Sequence, residues 1–276
     1  MSNKIRVDVA LVERGLAASR EKAQALIMAG QVYHREVKIL KPSEKVEDIE
    51  ALLVRGQPHP YVGRGALKLE KALTAFEIDV HGIVAMDIGA ATGGFTDVLL
   101  QRGAEQVFAI DVGYGQLDWK IRNDPRVTVM ERTNARHLTA DDLNGAVPSL
   151  TVMDVSFISI KLILPVAAGL MNGKGRFAVL IKPQFEAGRE SVGKKGVVRD
   201  PAVHEKVIQS IVDFAPGFGY GITQVDFSPI TGPEGNIEYI AELLPEKMRE
   251  SVLSSAHIHS VVQAAHETLS KPIRVE

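Results

Sequence analysis

The feature that most constrains the fold is an alternation of strand-like and helix-like patterns that begins near residue 84. Short apolar runs are separated by amphipathic stretches, an order typical of a parallel α/β sheet with helices on its faces. We predict parallel strands over residues 84–88, 107–112, 127–130, 150–155 and 177–181. Two later runs, 223–227 and 237–243, have only a Pro/Gly loop between them, and such a short connection allows only antiparallel pairing. The sequence therefore predicts an α/β sheet that is mostly parallel and ends in an antiparallel strand pair.

A glycine-rich turn joins the first predicted strand to a helix. It reads D-I-G-A-A-T-G-G-F-T-D over residues 87–97. Ligands of such sheets bind at the carboxyl ends of the strands. A dinucleotide site requires G-x-G-x-x-G, but Ala91 replaces the middle glycine here, and Asp87 would repel a pyrophosphate. The turn therefore favours S-adenosylmethionine, which has an amino group and a sulfonium but no phosphate. NAD, or a glycine turn needed only for close packing, are the alternatives.

Two polar residues after the next strands extend this candidate site. Asp111 ends the second strand, where an acidic side chain reaches ribose hydroxyls in both cofactor classes. Asn134 follows the third strand, at a position suited to the edge of an adenine. Both positions fit a nucleoside ligand.

Four charged residues stand in unusual places. Asp154 interrupts an apolar run, Lys182 ends a strand directly before Pro183, Glu238 interrupts residues 237–240, and Lys68 lies on the helix leading into the sheet. Taken singly, each has an ordinary interpretation as a helix cap, a strand end or a solvated residue. As a set, two cations and two anions above one crevice would leave one lysine poised as a general base, aimed by the restricted backbone before the proline.

The first 68 residues differ from the rest in charge. They contain 12 Lys and Arg against 8 Asp and Glu, whereas the remainder contains 20 against 26. A small basic unit on a larger acidic one suggests a polyanion-binding attachment, and chance variation in surface charge is the alternative. The spacing predicts helices over 5–14 and 20–29, the second capped by Ser19, and two short strands around a turn at 34–36. Residues 55–60, with two prolines and a glycine, resemble a linker.

The N-terminal sequence resembles a known RNA-binding module. R-V-D-V-A-L-V-E-R-G-L-A-A-S-R-E-K-A-Q-A-L-I-M-A-G-Q-V, followed by K-P-S, is similar to the module first recognised in ribosomal protein S-four. The module usually carries Asn-Gly in its hairpin, where this chain has residues 34–36, so the hairpin must turn differently. The candidate RNA-binding residues are Arg6, Arg20, Lys22, Arg35, Lys41 and Arg64.

The remainder resembles the FtsJ-like ribose 2′-O-methyltransferases, which use a Lys-Asp-Lys-Glu tetrad. Together with the S-four-like module, the segments Y-V-G-R-G-A-L-K-L, V-M-D-V-S-F-I-S, L-I-K-P-Q-F-E and G-P-E-G-N-I-E-Y resemble the haemolysin A/TlyA family of rRNA methyltransferases. Gly63 and Ala66 stand where that family usually has serine and glycine. Both changes are small and are not expected to disturb Lys68.

The resemblance implies a specific reaction. Family members transfer a methyl group from S-adenosylmethionine to the 2′-hydroxyl of a cytidine in ribosomal RNA. Lys182 is then the base, and Lys68, Asp154 and Glu238 orient it and the hydroxyl. The residues implied to hold the cofactor are Asp87, Gly89, Gly93, Gly94, Phe95, Asp111 and Asn134. The expected organisation is an S-four-like RNA-binding domain over 1–58, a linker over 59–66 and a Rossmann-like methyltransferase domain over 67–276. The expected partner is ribosomal RNA within ribosomal subunits, not DNA.

Two hypotheses from other functional classes compete with the methyltransferase hypothesis. The family name suggests a membrane-active haemolysin, and loss of the chemistry would leave a non-catalytic ribosome-binding factor. The longest apolar run, 162–171, is shorter than the roughly 18 residues that span a bilayer, and the N-terminus lacks a signal-peptide core. The chain has no cysteine, so no disulfide or thiolate metal site is expected. We therefore expect a cytoplasmic enzyme without a metal and without stable membrane association.

Overall fold

The computed structural model describes residues 4–35, 37–54, 59–193, 196–248 and 253–269. The chain forms two units, Met1–Pro60 and Tyr61–Glu276. The expected linker 59–66 is divided between the units at this point, and residues 55–58 of the Pro/Gly stretch lie outside the described residues. Residues 61–66 belong to the second unit, where Val62 N donates to the carboxylate of Asp97 at 2.9 Å.

The first unit is a small α+β structure. Its elements are β1 Ile5–Arg6, α1 Val7–Glu13, α2 Arg20–Met28, β2 Val32–His34, β3 Val37–Lys38, β4 Lys45–Val46 and β5 Leu52–Val54. The predicted helix start at Ile5 is wrong by two residues, because Ile5 and Arg6 pair antiparallel with Val46 and Lys45. The backbone hydrogen bonds of these residues go to a partner strand, and the helix begins only after them.

The second helix and the hairpin of this unit follow local rules. The Ser19 hydroxyl accepts a hydrogen bond from Lys22 N at 3.3 Å and so caps α2 as predicted. After β2, Arg35 adopts a left-handed conformation with φ 55°, which provides the turn without a glycine. Glu36, the last residue of the predicted turn, lies outside the described residues. A further strand, β5, pairs with β2 and was not predicted.

The second unit is built on a sheet of seven strands. They are β6 Val84–Ile88, β7 Gln106–Ile110, β8 Val127–Met130, β9 Leu150–Met153, β10 Arg176–Ile181, β11 Tyr220–Phe227 and β12 Tyr239–Pro245. The spatial order is β11-β12-β10-β9-β6-β7-β8, with β6 to β10 parallel. The predicted parallel sheet is confirmed. The chain continues from β6 to β7 on one side and returns to β9 on the other, so the strand order reverses at β6, where a ligand crevice forms.

The end of the sheet is antiparallel, as predicted. β12 lies between β10 and β11 and runs antiparallel to both. β12 begins at Tyr239, so Glu238 stands immediately before the strand. The prediction that Glu238 interrupts this strand is therefore wrong, because the ladder with β10 closes at the pair Ile181–Tyr239.

Helices cover both faces of this sheet. They are α3 Ala66–Ala75, α4 Gly94–Gln101, α5 Trp119–Arg122, α6 Leu164–Leu170, α7 Pro183–Glu186, α8 Pro201–Phe214 and α9 Ser255–Leu269. Side chains alternate along β6, so that Met86 and Ile88 join one core cluster and Ala85 joins the other. No helix within the described ranges is long and apolar enough to cross a membrane.

Candidate active site

Four charged side chains meet at the carboxyl ends of β9 and β10. Asp154 follows β9, Lys182 follows β10, Glu238 precedes β12, and Lys68 comes from the first turn of α3. Lys68 Nζ lies 2.6 Å from Glu238 Oε2 and 3.3 Å from Asp154 Oδ2. Lys182 Nζ lies 2.5 Å from Asp154 Oδ1. The structure thus brings together the four residues that the sequence singled out.

The two lysines of this cluster have different surroundings. Burial by itself would lower the pKa of Lys68, but the carboxylates of Asp154 and Glu238 outweigh burial and raise it. Lys68 is therefore held as a cation by two carboxylates. Lys182 has one carboxylate neighbour, Asp154, and donates a hydrogen bond to the Ser156 hydroxyl at 3.1 Å. Lys68 is thus bound by two carboxylates, whereas Lys182 has one carboxylate and one neutral hydroxyl as partners.

Ser156 was not among the predicted site residues. It lies two positions after Asp154, and the short sequence D-V-S that follows the strand is the only signal that could have indicated it. Gln184 was also missed, and its amide donates to Glu238 Oε1 at 3.4 Å. Ser156 sits in the loop after β9 and Gln184 in the short helix α7 after β10, and at both places the sequence pattern gives no direction for a side chain.

The cluster forms the wall of an open cleft of about 690 Å³. The cleft is lined by Lys68, Asp154, Lys182 and Glu238, by residues 89–92, Gly94 and Phe95 of the glycine-rich segment, and by Ser156, Phe157, Gln184 and Phe185. A second pocket of about 320 Å³ shares Gly89, Ala91, Asp154, Ser156 and Phe157 with it. Two connected compartments therefore meet at the tetrad.

The glycine turn passes directly beneath Asp154. Gly89 has φ +87°, and a Cβ at this position would lie 2.6 Å from the carbonyl oxygen of Asp154. Only glycine permits this approach. Gly94, at the start of α4, would place a Cβ 3.1 Å from Ala66 N, so it packs α4 against α3. Gly93, with φ +91°, is not part of the cleft lining and provides the left-handed turn before α4.

Asp87 lies below the turn rather than in the cleft. It is fully buried, and its Oδ2 accepts a hydrogen bond from the Thr96 hydroxyl at 2.6 Å. Its Oδ1 has no hydrogen-bond partner in the described part of the chain. Burial raises the pKa of Asp87 to about 7, although the hydrogen bond from Thr96 opposes this shift. Asp87 was predicted to contact the cofactor directly. It lies instead beneath the glycine turn and lines neither pocket.

Asp111 and Asn134, the two residues predicted for a nucleoside, both line the second pocket. Asp111 Oδ2 accepts from Ala91 N at 2.8 Å, and Oδ1 accepts from Gly113 N at 2.7 Å. The carboxylate thus ties the glycine turn to the loop after β7 and still has lone pairs for a diol. Asn134 Oδ1 accepts from Arg136 N at 3.1 Å, which orients its amide. Within the described residues, no group of three or more His, Cys, Asp or Glu side chains could hold a metal ion.

The predicted RNA-binding residues of the first unit fall into two groups. Arg6 and Arg20 both contact Asp8, whose carboxylate is fully buried, at 2.9 and 3.0 Å. Hydrogen bonds from Arg6 hold the pKa of Asp8 well below its usual range. These two arginines therefore also have a structural role, with their side chains 42% and 53% exposed.

The remaining candidate RNA-binding residues have fewer ion pairs with described residues. Arg35 is exposed and pairs with Asp48 at 3.5 Å, near the limit of an ion pair. Lys22 and Lys41 are exposed, and neither forms an ion pair with a described residue. Arg64 belongs to the second unit, one residue before Gly65, which lines the cleft.

The strand order, the glycine turn at the point where that order reverses, and the Lys-Asp-Lys-Glu cluster define a methyltransferase of the Rossmann-like class. The sequence profile of the FtsJ-like methyltransferase family matches residues 61–243, and that of the S4 domain matches residues 5–48. The chain therefore belongs to the haemolysin A/TlyA family of FtsJ-like methyltransferases with an N-terminal S4 domain.

Three relatives support this membership. YqxC of Bacillus subtilis strain 168 is 52% identical and covers 98% of this chain and 97% of its own length. The 16S/23S rRNA (cytidine-2′-O)-methyltransferase TlyA of Mycobacterium tuberculosis is 45% identical over 96% of this chain and 98% of its own. Hemolysin A of Brachyspira hyodysenteriae is 42% identical over 87% of this chain and 100% of its own. The predicted fold class, the enzyme class and S-adenosyl-L-methionine as cofactor, instead of NAD, are confirmed.

Proposed function

We propose that the protein methylates the ribose 2′-hydroxyl of a cytidine in ribosomal RNA, with Lys182 as the general base. The observation that carries this proposal is the asymmetry of the two lysines. Lys68 is locked between two carboxylates, whereas Lys182 faces the cleft with one carboxylate and one hydroxyl as neighbours. Substrate specificity is inferred from the TlyA relative, which is named for this reaction on 16S and 23S rRNA.

The residues of the two connected compartments fit S-adenosyl-L-methionine. Gly89 lines both compartments, and its lack of a Cβ lets the turn pass close to the Asp154 backbone. Asp111 offers a carboxylate to a ribose diol. Beneath the turn, Oδ1 of Asp87 has no hydrogen-bond partner among the described residues, and a cation bound above it would favour the charged form of this buried carboxyl. We assign the cofactor to Gly89, Gly94, Phe95, Asp111 and Asn134, with Gly93 and Asp87 supporting the turn. The bound cofactor supplies an electrophilic methyl group on a sulfonium.

The protein side of the reaction is a proton transfer. Lys182, in its uncharged form, accepts the proton of the 2′-hydroxyl at Nζ while that oxygen forms its bond to the methyl carbon. The Asp154 carboxylate holds Nζ in place, and a hydrogen bond from Nζ to the Ser156 hydroxyl further restricts the orientation of the amine. Lys68 and Glu238 keep the Asp154 carboxylate oriented. General-base catalysis of this kind contributes roughly 10²- to 10⁴-fold to the rate.

The first unit provides the RNA attachment in this proposal. Lys22, Lys41 and Arg35 are exposed cations that can neutralise phosphates, and such contacts position an RNA without reading its bases. We propose ribosomal RNA within ribosomal subunits as the substrate, with no role for DNA, and the cytoplasm as the place of action. The domain limits 1–58 and 67–276, with a linker between them, stay part of this proposal.

The test is methyl transfer from radiolabelled S-adenosylmethionine to purified ribosomal subunits that lack the modification. Wild type should give RNase-sensitive incorporation, and Lys182→Ala should lose at least about 100-fold in rate while it still binds the cofactor by calorimetry. Lys174→Ala, an exposed lysine before β10, is the matched control and should be fully active. Full activity of Lys182→Ala would refute the base assignment. No incorporation by wild type into either subunit would refute the proposed reaction.

A further inference from the structure

Two aromatic side chains on the second unit are unusually exposed. Tyr114 is 67% exposed and Trp119 is 77% exposed. Trp119 is the only tryptophan of the chain. Large aromatic rings bury more apolar area than other side chains, so rings left on the surface mark contact sites more often than isolated aliphatic residues do. The methyl-transfer chemistry described above uses neither ring.

An arginine completes this surface. The guanidinium carbon of Arg132 lies 4.1 Å from the centre of the Tyr114 ring, a cation–π contact. Arg132 forms no ion pair with a described residue, whereas its neighbours Arg122 and Lys120 are paired with Glu131 and Asp97. Arg132 also has a left-handed backbone with φ 53°. Among the described residues, its charge is therefore not balanced by a carboxylate, and its guanidinium lies over an aromatic ring.

Backbone and carboxylate contacts connect the three segments that carry these residues. Glu131 accepts a hydrogen bond from Gly115 N at 2.8 Å and pairs with Arg122. Arg122 is three positions after Trp119 on α5, and such positions share a helix face. Arg132 N donates to Gly113 O at 2.9 Å. The loop of Tyr114, the helix of Trp119 and Arg132 are thus joined through Glu131 and its neighbours.

This surface begins at the wall of the active-site cleft. Asp118 N donates to Thr92 O at 3.1 Å, and Thr92 lines the cleft. Gln116, between the two rings in sequence, lines the second pocket. A polymer whose reacting unit occupies the cleft would therefore pass this surface with its adjoining units.

We propose that Tyr114, Trp119 and Arg132 form a docking surface for unpaired RNA next to the methylated nucleotide. Exposed rings stack with any nucleobase, and a guanidinium can pair with a phosphate or stack on a base, which is how proteins hold single strands. Duplex RNA does not offer its base faces, so the surface selects an unpaired segment. This inference rests on the proposed RNA substrate, and it adds a contact outside the tetrad and outside the first unit.

The lone tryptophan allows a direct measurement. We would titrate the full-length protein with a single-stranded oligoribonucleotide of about 10 nucleotides and follow tryptophan fluorescence, because a stacked base quenches the indole. Quenching by the single strand, with little quenching by a duplex of the same sequence, is the expected result. Tyr114→Ala and Arg132→Ala should each weaken this binding roughly tenfold. Lys174→Gln, an exposed cation elsewhere in the unit, should not change it.

A kinetic measurement separates this inference from the proposed function. Trp119→Ala should raise the KM for ribosomal subunits roughly tenfold with kcat and cofactor affinity nearly unchanged, and Trp119→Phe, which keeps a ring, should restore most of the loss. Absence of quenching, or equal quenching by duplex RNA, overturns the inference. So does self-association that Trp119→Ala abolishes, which would assign the surface to a second copy of the chain. Quenching without any methyl transfer would leave this surface supported and refute the proposed reaction alone.

Discussion

Lys68 Nζ donates a hydrogen bond of 2.6 Å to Glu238 Oε2, although 170 residues of chain separate the two. Lys68 is 6% exposed and Glu238 is 1% exposed. Two charges this deeply buried are tolerated because they face each other, and the loss of one partner leaves the other uncompensated. Gly232 makes the arrangement possible, since a Cβ there would lie 2.7 Å from Glu238 Oε1. The pair thus fixes the α3 helix to the segment before β12.

Glu238→Gln tests this relationship. The substitution keeps the shape of the side chain but leaves Lys68 with only Asp154 as a carboxylate partner. We expect the free energy of unfolding to fall by about 3 kcal/mol and methyl transfer to fall by at least about tenfold, because Asp154 is drawn toward Lys68 and away from Lys182. Urea unfolding and the transfer assay measure both. Glu105→Gln, at an exposed glutamate, is the control, and equal behaviour of the two variants would contradict the expectation.

Gly89→Ala tests the passage of the glycine turn beneath Asp154. The new Cβ would lie 2.6 Å from the Asp154 carbonyl oxygen, and φ is +87°. We expect loss of measurable cofactor binding by calorimetry and a destabilisation of about 2–4 kcal/mol, the sum of backbone strain and a clash that the strand end must absorb. The cofactor assignment fails if this variant binds S-adenosylmethionine normally.

The control for that variant is Gly173→Ala. Gly173 also has a positive φ, +63°, but an added Cβ would meet nothing within 4 Å. Only the conformational cost remains, about 1 kcal/mol, and cofactor affinity should be unchanged. The difference in unfolding free energy and cofactor affinity between the two variants therefore measures the effect of the close approach to Asp154, separately from the cost of the left-handed backbone.

The sequence predicted the parts of the site that strand ends determine. Lys182 follows directly after an apolar run and Asp154 stands near the end of another, and their shared edge of a parallel sheet follows from the α/β pattern. The strand with Asp154 ends at Met153, two residues before its predicted end. Glu238 was identified as a residue, but its place before β12 rather than inside it depends on where the ladder with β10 closes, which is a tertiary property. The start of α1 was misplaced for the same reason, because its first two residues pair with β4.

The parts that could not be predicted depend on side-chain direction in loops. Ser156 and Phe157 lie two and three positions after Asp154, yet one turns toward Lys182 and the other toward solvent. Asp87 looked like a cofactor contact because it precedes the glycine turn. Side chains alternate along β6, and this alternation directs Asp87 under the turn toward Thr96. The sequence shows the alternation, but which face lies under the turn depends on where α4 packs.

Asp87→Asn tests the buried carboxylate through pH. Folding raises the pKa of Asp87 from about 3.9 to about 7, so between these values the folded protein keeps a proton that the unfolded chain releases. The contribution of Asp87 to stability therefore falls as pH rises through this window and is level above it. Asn cannot ionise, so the variant should gain stability relative to wild type between about pH 4 and about pH 7, by at most about 4 kcal/mol.

The measurement for Asp87 is urea unfolding without cofactor at several pH values. The difference between variant and wild type should grow with pH, while Asp141→Asn, at an exposed aspartate, should show no such trend. A difference that is constant with pH would mean that Asp87 ionises normally in the folded protein. Such a result would overturn the raised pKa of Asp87 and leave this residue charged at neutral pH.

Arg6 and Lys22 were predicted alike as RNA contacts, and the structure predicts that they behave differently. Arg6→Ala removes hydrogen bonds to the buried carboxylate of Asp8 and should lower the melting temperature as well as RNA affinity. Lys22→Ala should leave the melting temperature unchanged and reduce the salt dependence of RNA binding by about one ion. Binding isotherms at several salt concentrations, with thermal melts of both variants, separate these roles. An unchanged melting temperature in Arg6→Ala would show that Asp8 does not need this partner.

Phe157 is the most exposed large hydrophobic residue at the cleft, at 91%, and it lines both compartments. Its ring centre lies 5.2 Å from that of Phe185, and its φ is +66°, so the backbone is held in a conformation that bulky residues rarely adopt. An exposed ring near Lys182, the proposed general base, is suited to stack on the nucleobase of the target nucleotide. Phe157→Ala should therefore lower kcat/KM for ribosomal subunits roughly tenfold or more. Its free energy of unfolding should stay within about 0.5 kcal/mol of the wild-type value. Val147→Ala, also an exposed apolar residue of this unit, should leave transfer unchanged. If Phe157→Ala instead loses cofactor affinity and keeps its KM for RNA, the ring belongs to the cofactor pocket and the target base is held elsewhere.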